Sequence, residues 1–304
     1  MAYNRVCRVI VTPVKFGTNE PTGSSIIITS PITIKFNINR MPFGGQTNAS
    51  IDIYNLNPDT REKLFYDWFD FENVRQVIVE AGYENEKYDI IYKGRIRFCS
   101  TSHQGTNNIT HIEADSMLGV LDNLASISLK AGESVEDLVG RVINSTPALE
   151  EGEVSVPEYV VKRPVALIGN AIALLKTYTK DNVAVDLDEI VIIDRDEVIK
   201  GDVRVIDDET GLLGIPERQR TSLTVRCIFE PRIKIGQGLE IKSRILPVFD
   251  GQYKVWGVSH NGTIGGTQGG ECTTTIILWT GLNLFGRFKS SWENVKNKYS
   301  DVQT

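Results

Sequence analysis

The residues with the most chemical potential in this sequence are carboxylates, gathered at Asp186, Asp188, Glu189, Asp194, Asp196 and Glu197 and again at Asp207, Asp208 and Glu209. Converging carboxylate oxygens hold hard cations, and two carboxylates in unlike surroundings can hydrolyse a glycosidic bond. Crowding in sequence establishes neither. Asp194-Arg195-Asp196-Glu197 departs from the calcium-loop pattern, in which a third oxygen ligand and a glycine follow, so the zone is expected to be an acidic solvated surface. A carboxylate-based or cation-dependent hydrolase working through Asp194 to Glu209 is the alternative.

Other routes to catalysis find less support. The three histidines, His103, His111 and His260, fall in no metal-binding spacing. No G-x-S-x-G elbow is present, and a Ser-His-Asp triad would have to be chosen arbitrarily from scattered residues. The glycines between 262 and 270 lack the G-K-[ST] of a phosphate loop and lead into an alternating strand, not a helix. Gly236-Gln237-Gly238 likewise reads as a turn. The four cysteines, Cys7, Cys99, Cys227 and Cys272, are scattered through apparent strands and are expected to be buried reduced thiols. No catalytic residue, metal or cofactor is expected.

The elements that would position any site are mostly strands. Leu223, Val225, Cys227 and Phe229 alternate with polar residues, Ile233 and Ile235 resume the run after Glu230-Pro231, and Tyr253 to His260 pairs with Cys272 to Trp279 as a long hairpin. Near the start, Ile32, Ile34, Phe36 and Ile38 alternate with Thr33, Lys35, Asn37 and Asn39. A short helix is predicted after Asn57, which can cap it, with Pro58 at its first position and Leu64, Phe65 and Trp68 on one face. Strands resume from Val77 to Ala114, where Gly82 and Gly94 are expected to supply a positive φ or a bulge.

From Asp115 to about Lys200 the apolar spacing changes to three and four. Ser134 and Asp137 resemble a capping pair ahead of the apolar stripe Val135, Leu138, Val139, Val142 and Ile143. A second helix is predicted over Val165 to Tyr178, with strands from Val183 to Ile193. After Leu284, Trp292, Val295 and Tyr299 share the stripe of an amphipathic helix that would dock on a partner or on its own domain.

At 304 residues the chain can bury a sizeable core without staples, and it contains no apolar run long enough to span a membrane. A net charge of -6 argues against a protein that grips nucleic acid, although a wall that repels phosphate would let a polyanion slide past without sticking.

Several turn-and-strand patterns, taken in order, resemble one family. They are Ala81-Gly82-Tyr83, Tyr92-Lys93-Gly94, Thr210-Gly211-Leu212-Leu213-Gly214-Ile215-Pro216-Glu217, Cys227 to Pro231, Ile235-Gly236, and Gly251 to Val255 with Ser259-His260-Asn261-Gly262. Together they resemble the baseplate hub proteins of phage tails. The resemblance implies a β-rich α+β fold, with a tube-type antiparallel β-barrel over 1–115, an inserted α/β domain over 116–200, a second barrel over 201–284 and a tail over 285–304. It also implies a homotrimer whose six barrels ring a channel for passing DNA. The implied partners are the tail tube, central spike, baseplate wedge and tape-measure proteins, with assembly into the virion in the host cytoplasm. Thr60, Arg61, Gly82, Tyr83, Gly94, Gly211, Gly214, Pro216, Pro231 and Gly236 would be fold and interface signatures, with no catalytic role. A carbohydrate-binding or adhesin-like β protein is the remaining alternative, tested by the exposure of Trp256 and Trp279.

Overall fold

The computed structural model describes residues 4–280, apart from 42–46, 66–73, 85, 117–123, 156–158, 180–181, 195–196, 200, 202 and 266–269. Trp292, Val295 and Tyr299 lie outside the described residues.

The chain opens with β1 (Arg5–Val14), β2 (Ile26–Thr29), β3 (Ile34–Arg40) and β4 (Asn48–Tyr54), then α1 (Pro58–Leu64), β5 (Val74–Tyr83), β6 (Asp89–Gln104) and β7 (Asn107–Asp115). The middle holds β8 (Leu124–Leu129), α2 (Val135–Asn144), β9 (Glu150–Val154), β10 (Val165–Asn170), α3 (Ala171–Tyr178), β11 (Val183–Asp186) and β12 (Glu189–Ile192). The last part holds β13 (Arg204–Ile206), β14 (Leu212–Arg218), β15 (Ser222–Ile228), β16 (Gly238–Ile241), β17 (Gly251–Ile264) and β18 (Cys272–Trp279). The fold is a β-rich α+β fold, and among the described residues no helix is long and apolar enough to cross a membrane.

Both β regions belong to one 13-stranded sheet, in the order β14-β15-β18-β17-β3-β4-β7-β6-β5-β1-β2, with β16 on β17 and β13 parallel to β16. The join is β17. Its first residues pair with β16, Lys254 to Gly262 pair with β18, and Val258 to Ile264 pair with β3 on the other side. Strict alternation on β3 buries Ile34, Phe36, Ile38 and Arg40 and turns Lys35 and Asn37 outward. The sheet bends round two cores, one centred on β1 to β7 and the other on β13 to β18. Phe229 and Cys272, late in sequence, pack into the first of these.

Residues 124–192 build a third core between α2, α3 and two small sheets, β8 with β10 and β11-β12-β9. The capping box forms as the sequence indicates: Ser134 Oγ accepts from Asp137 N at 3.1 Å, and Ser134 N donates to Asp137 Oδ2 at 2.8 Å.

Four expectations are corrected. The helix predicted over Val165 to Tyr178 is half strand: Val165–Asn170 pairs with β8, and α3 starts only after Asn170, whose Oδ1 accepts from Ala173 N at 3.1 Å. The Gly-Asn pair interrupts the helical spacing, and Ile168 is 78% exposed. Ile233 and Ile235 are buried but belong to no strand, because turns at Pro231-Arg232 and Ile235-Gly236 break the ladder. Phe65 caps α1 from outside the helix and faces solvent, leaving Leu64 to enter the core; Trp68 lies outside the described residues.

The fourth correction concerns Gly82 and Gly94. Neither has a positive φ, and the register shifts of β6 fall beside them, between the Val79 and Glu80 pairings and between Ile96 and Phe98. Their constraint is close approach: a Cβ on Gly94 would lie 2.4 Å from the Tyr92 hydroxyl, and one on Gly82 would lie 3.2 Å from the Lys87 carbonyl.

Gly211 has both constraints, with φ +108 and a would-be Cβ 2.4 Å from Ile228 Cγ1. Gly211→Ala is therefore expected to lower unfolding free energy by about 2 kcal/mol, read from the urea midpoint at unchanged slope.

Candidate assembly junction

Where the three cores meet, the Arg40 cation is buried. Arg40 ends β3 on the core face, in register with Ile34, Phe36 and Ile38, and is 1% exposed. Its guanidinium grips Asp186 at the end of β11 side-on, Nε to Oδ1 at 2.9 Å and Nη2 to Oδ2 at 2.5 Å, while Nη1 reaches the Ile233 carbonyl at 3.4 Å. The first β region, the middle unit and the last β region thus meet on one side chain. The fork of Arg suits this role because its donors point in fixed, separate directions.

The tight turn after Asp186, with Leu187 at φ 54 and Asp188 at φ 67, drives a second carboxylate inward. Asp188 accepts from Gln76 at 3.2 Å and Asn19 at 3.3 Å and pairs with Lys93 at 3.4 Å. Burial raises its pKa, opposed by the charges of Lys93 and Arg95 and by the Asn19 hydrogen bond. Asn19 also donates to the Ala148 carbonyl at 3.1 Å, and Lys254 of β17 donates to the Asp194 carbonyl at 2.7 Å.

The acidic zone is therefore not uniformly a solvated surface. Asp186 and Asp188 are buried anchors, because their hairpin inserts between cations of the first β region. Asp207 behaves as a turn former, its Oδ1 accepting from Glu209 N at 3.0 Å and Thr210 N at 2.8 Å; these bonds hold its carboxyl below the usual range. Asp208 accepts from Arg244 N at 3.1 Å. Among the described residues no group of acidic, histidine or cysteine side chains is arranged to hold a metal ion.

The signature residues divide by place. Tyr83 donates its hydroxyl to the Phe229 carbonyl at 2.6 Å, joining β5 to the last β region. Gly236, with φ +83, lets Ile193 pack where a Cβ would stand 2.5 Å from Ile193 Cδ1, and its carbonyl accepts from Ile199 N at 3.0 Å. Pro231 lines a groove of about 530 Å³ at the junction with Arg40, Leu187 and Ile233. Gly94 belongs to the first core alone. Gly211, Gly214 and Pro216 shape β14, where the register slips between Leu213 and Glu217. Thr60 and Arg61 lie in α1, the Thr60 amide donating to Asn57 at 2.7 Å, away from the junction.

His260 is buried near the same junction. Its Nδ1 lies 3.0 Å from Thr274 Oγ1, and its ring meets Phe229 edge-on at 5.7 Å. Burial, with the Arg40 charge adding to it, pushes the imidazole down to about 3. His103 and His111 sit on strands, His111 bonding Asp52 at 2.6 Å. The four cysteines are free and buried; burial pushes Cys99 up to about 11 and Cys227 and Cys272 up to about 12.

Comparison with known proteins identifies what carries this junction. The profile described as Baseplate hub gp41 matches residues 12–261. The chain belongs to the baseplate hub gp41 family. Solved structures share its fold at very low identity. The tail protein from Neisseria meningitidis MC58 is 9% identical, with TM-score 0.59, 91% of this chain and 97% of that chain covered. The 43 kDa tail protein of prophage MuSo2 from Shewanella oneidensis is 7% identical, with TM-score 0.57 and coverage of 89% and 96%. A chain of the Francisella PdpA-VgrG complex is 7% identical, with TM-score 0.56, 91% of this hub chain and 58% of that chain covered. No curated protein matches.

Two outcomes test the junction. Arg40→Met leaves Asp186 buried and unpaired and is expected to cost about 3–5 kcal/mol, most of it recovered in Arg40→Met/Asp186→Leu, both read by urea unfolding.

The second is a pH effect. An unfolded-chain histidine titrates near ~6.5 whereas His260 stays neutral in the fold, so stability is full above that value and falls as pH drops towards the folded one. Between about pH 7.5 and about pH 5, His260→Gln is expected to lose about 2 kcal/mol less than wild type.

Proposed function

We propose that this chain is the structural hub of a phage tail baseplate, three copies closing into a pseudo-six-fold ring that joins the tail tube to the central spike and encloses the path of DNA. The observation that carries the reading is β17, which makes two β regions one continuous sheet in a chain of the baseplate hub family. A ring built from such chains has two rigid β lobes per subunit, and sheet ends at β14 and β2 are left for neighbours. On this reading the domains follow the three cores: a barrel over 1–115, an insertion over 116–200 and a second barrel over 201–284, with Trp292, Val295 and Tyr299 in a tail that docks on the spike. The signature residues then act through shape.

The mechanism is assembly. Charges that would serve catalysis are committed to structure: Asp186 to Arg40, Asp188 to Lys93, and Asp207 to its own turn. Trp256 and Trp279 are half-buried and stack on each other at 5.0 Å, an arrangement that offers no open platform for a sugar ring. Neither the hydrolase nor the adhesin reading gains a specific observation. Tube, spike, wedge and tape-measure proteins are the proposed partners, in the virion tail.

Negative-stain electron microscopy of the purified full chain is expected to show annular particles with a central hole and three-fold or pseudo-six-fold symmetry. A uniform population of compact monomers, unchanged by the tube and spike proteins, would sink the reading.

A further inference from the structure

Four adjacent strands present an outer face of unusual composition. In one cross-strand row, Thr275 of β18 lies opposite Ser259 of β17, then Asn39 of β3 and Asn48 of β4. In the next, Thr273, which is buried, is followed by Asn261, Asn37 and Ser50. Every position in these two rows is a hydroxyl or a carboxamide. Several bond one another: Ser259 Oγ donates to Asn39 Oδ1 at 2.7 Å, and Asn39 Nδ2 reaches both Asn48 Oδ1 and Asn37 Oδ1 at 3.4 Å.

Strand stability does not account for this choice. Asn is depleted in strands, where β-branched residues fit the pleated surface better, yet Asn occupies aligned positions on three neighbouring strands. A solvent face that breaks the local preference in a coherent block is set by what the face must do. Charges border the block: Arg226 pairs with Glu271 at 2.5 Å, and Arg97 reaches both Glu113 and Asp115 at 2.7 and 3.5 Å, one cation against two carboxylates. Lys35, one row on, is exposed and in register with Asp52, whose carboxylate bonds His111 at 2.6 Å. The outward side of β1 and β5 differs, with Arg8 paired to Glu80 and set 4.6 Å over the Tyr88 ring.

We propose that this strip is the wall past which DNA moves, an inference that rests on the hub-ring reading. Phosphate backbones are held by clustered Lys and Arg through counterion release, so two rows that carry no cation do not hold them. An apolar wall would shed its water, and the carboxylates that flank these rows repel phosphate instead of holding it. Amides and hydroxyls that satisfy one another keep the wall wet and neutral. The strip also straddles β17, so both β lobes contribute to it.

The test places lysines in the strip. Asn37 and Asn261 are exposed and directly paired in register, so Asn37→Lys/Asn261→Lys adds two solvated cations per chain without burying either. Assembled wild-type and variant full-chain rings are compared by electron microscopy and by retention of a short linear duplex and of a covalently closed DNA circle, which cannot thread a channel.

Variant rings of unchanged symmetry that hold the linear duplex about tenfold or more tightly than wild type, lose it at high salt and ignore the circle are the expected result. Capture of circles as well as linear duplex puts the strip on the ring's outside and overturns the proposal. So do variant rings that hold neither DNA, wild-type rings that already grip the duplex, and a folded variant that no longer forms rings, which makes the strip a subunit contact. Absence of wild-type rings even with the tube and spike proteins present refutes the hub reading itself and this inference with it.

Discussion

The constraint on which the rest of the structure depends is the burial of Arg40. A guanidinium excluded from water must find fixed acceptors, and here they come from the Asp186 carboxylate of the middle unit and the Ile233 carbonyl of the last β region. An apolar residue would pack against several arrangements of the three units. The fork accepts very few, so the pair defines geometry more than it adds stability. Lys93 and Asp188 make a second, less buried clasp beside it, and Tyr83 with Phe229 makes a neutral one.

With the junction fixed, the long sheet can act as one body. β17 hydrogen-bonds to strands of both β regions, so its residues cannot shift register on one side without breaking the other. Outward faces and sheet ends are then held at set positions, which is what a component working by assembly requires. The same commitment shows in the acids: Asp186 and Asp188 are buried against Arg40 and Lys93.

Much of this was legible in the sequence, and what was missed has identifiable reasons. Alternation located β3, β15 and the β17–β18 hairpin, and capping chemistry located α1 and α2. The break between β10 and α3 escaped because Val165 to Tyr178 satisfies a spacing of three and four by chance, and only the Asn170 cap separates its halves. Ile233 and Ile235 alternate without a ladder, since period two reports burial on one side and not hydrogen bonding. Asp186 looked like one acid among many. Its partner did leave a signal: Arg40 continues the apolar face of Ile34, Phe36 and Ile38, and a cation in a core register requires a buried counter-charge. Which carboxylate answered it was a matter of contacts 146 residues apart.

The claim that everything else serves is that one chain supplies two β lobes, welded by β17 and clasped at Arg40, to a ring. Cryo-electron microscopy of wild-type rings at a resolution that separates strands tests it most directly. The account predicts that the two lobes of each chain take neighbouring, equivalent stations round the channel, with β17 crossing between them. Lobes at different radii, or a ring in which one β region of each chain stands outside the circle, would contradict it.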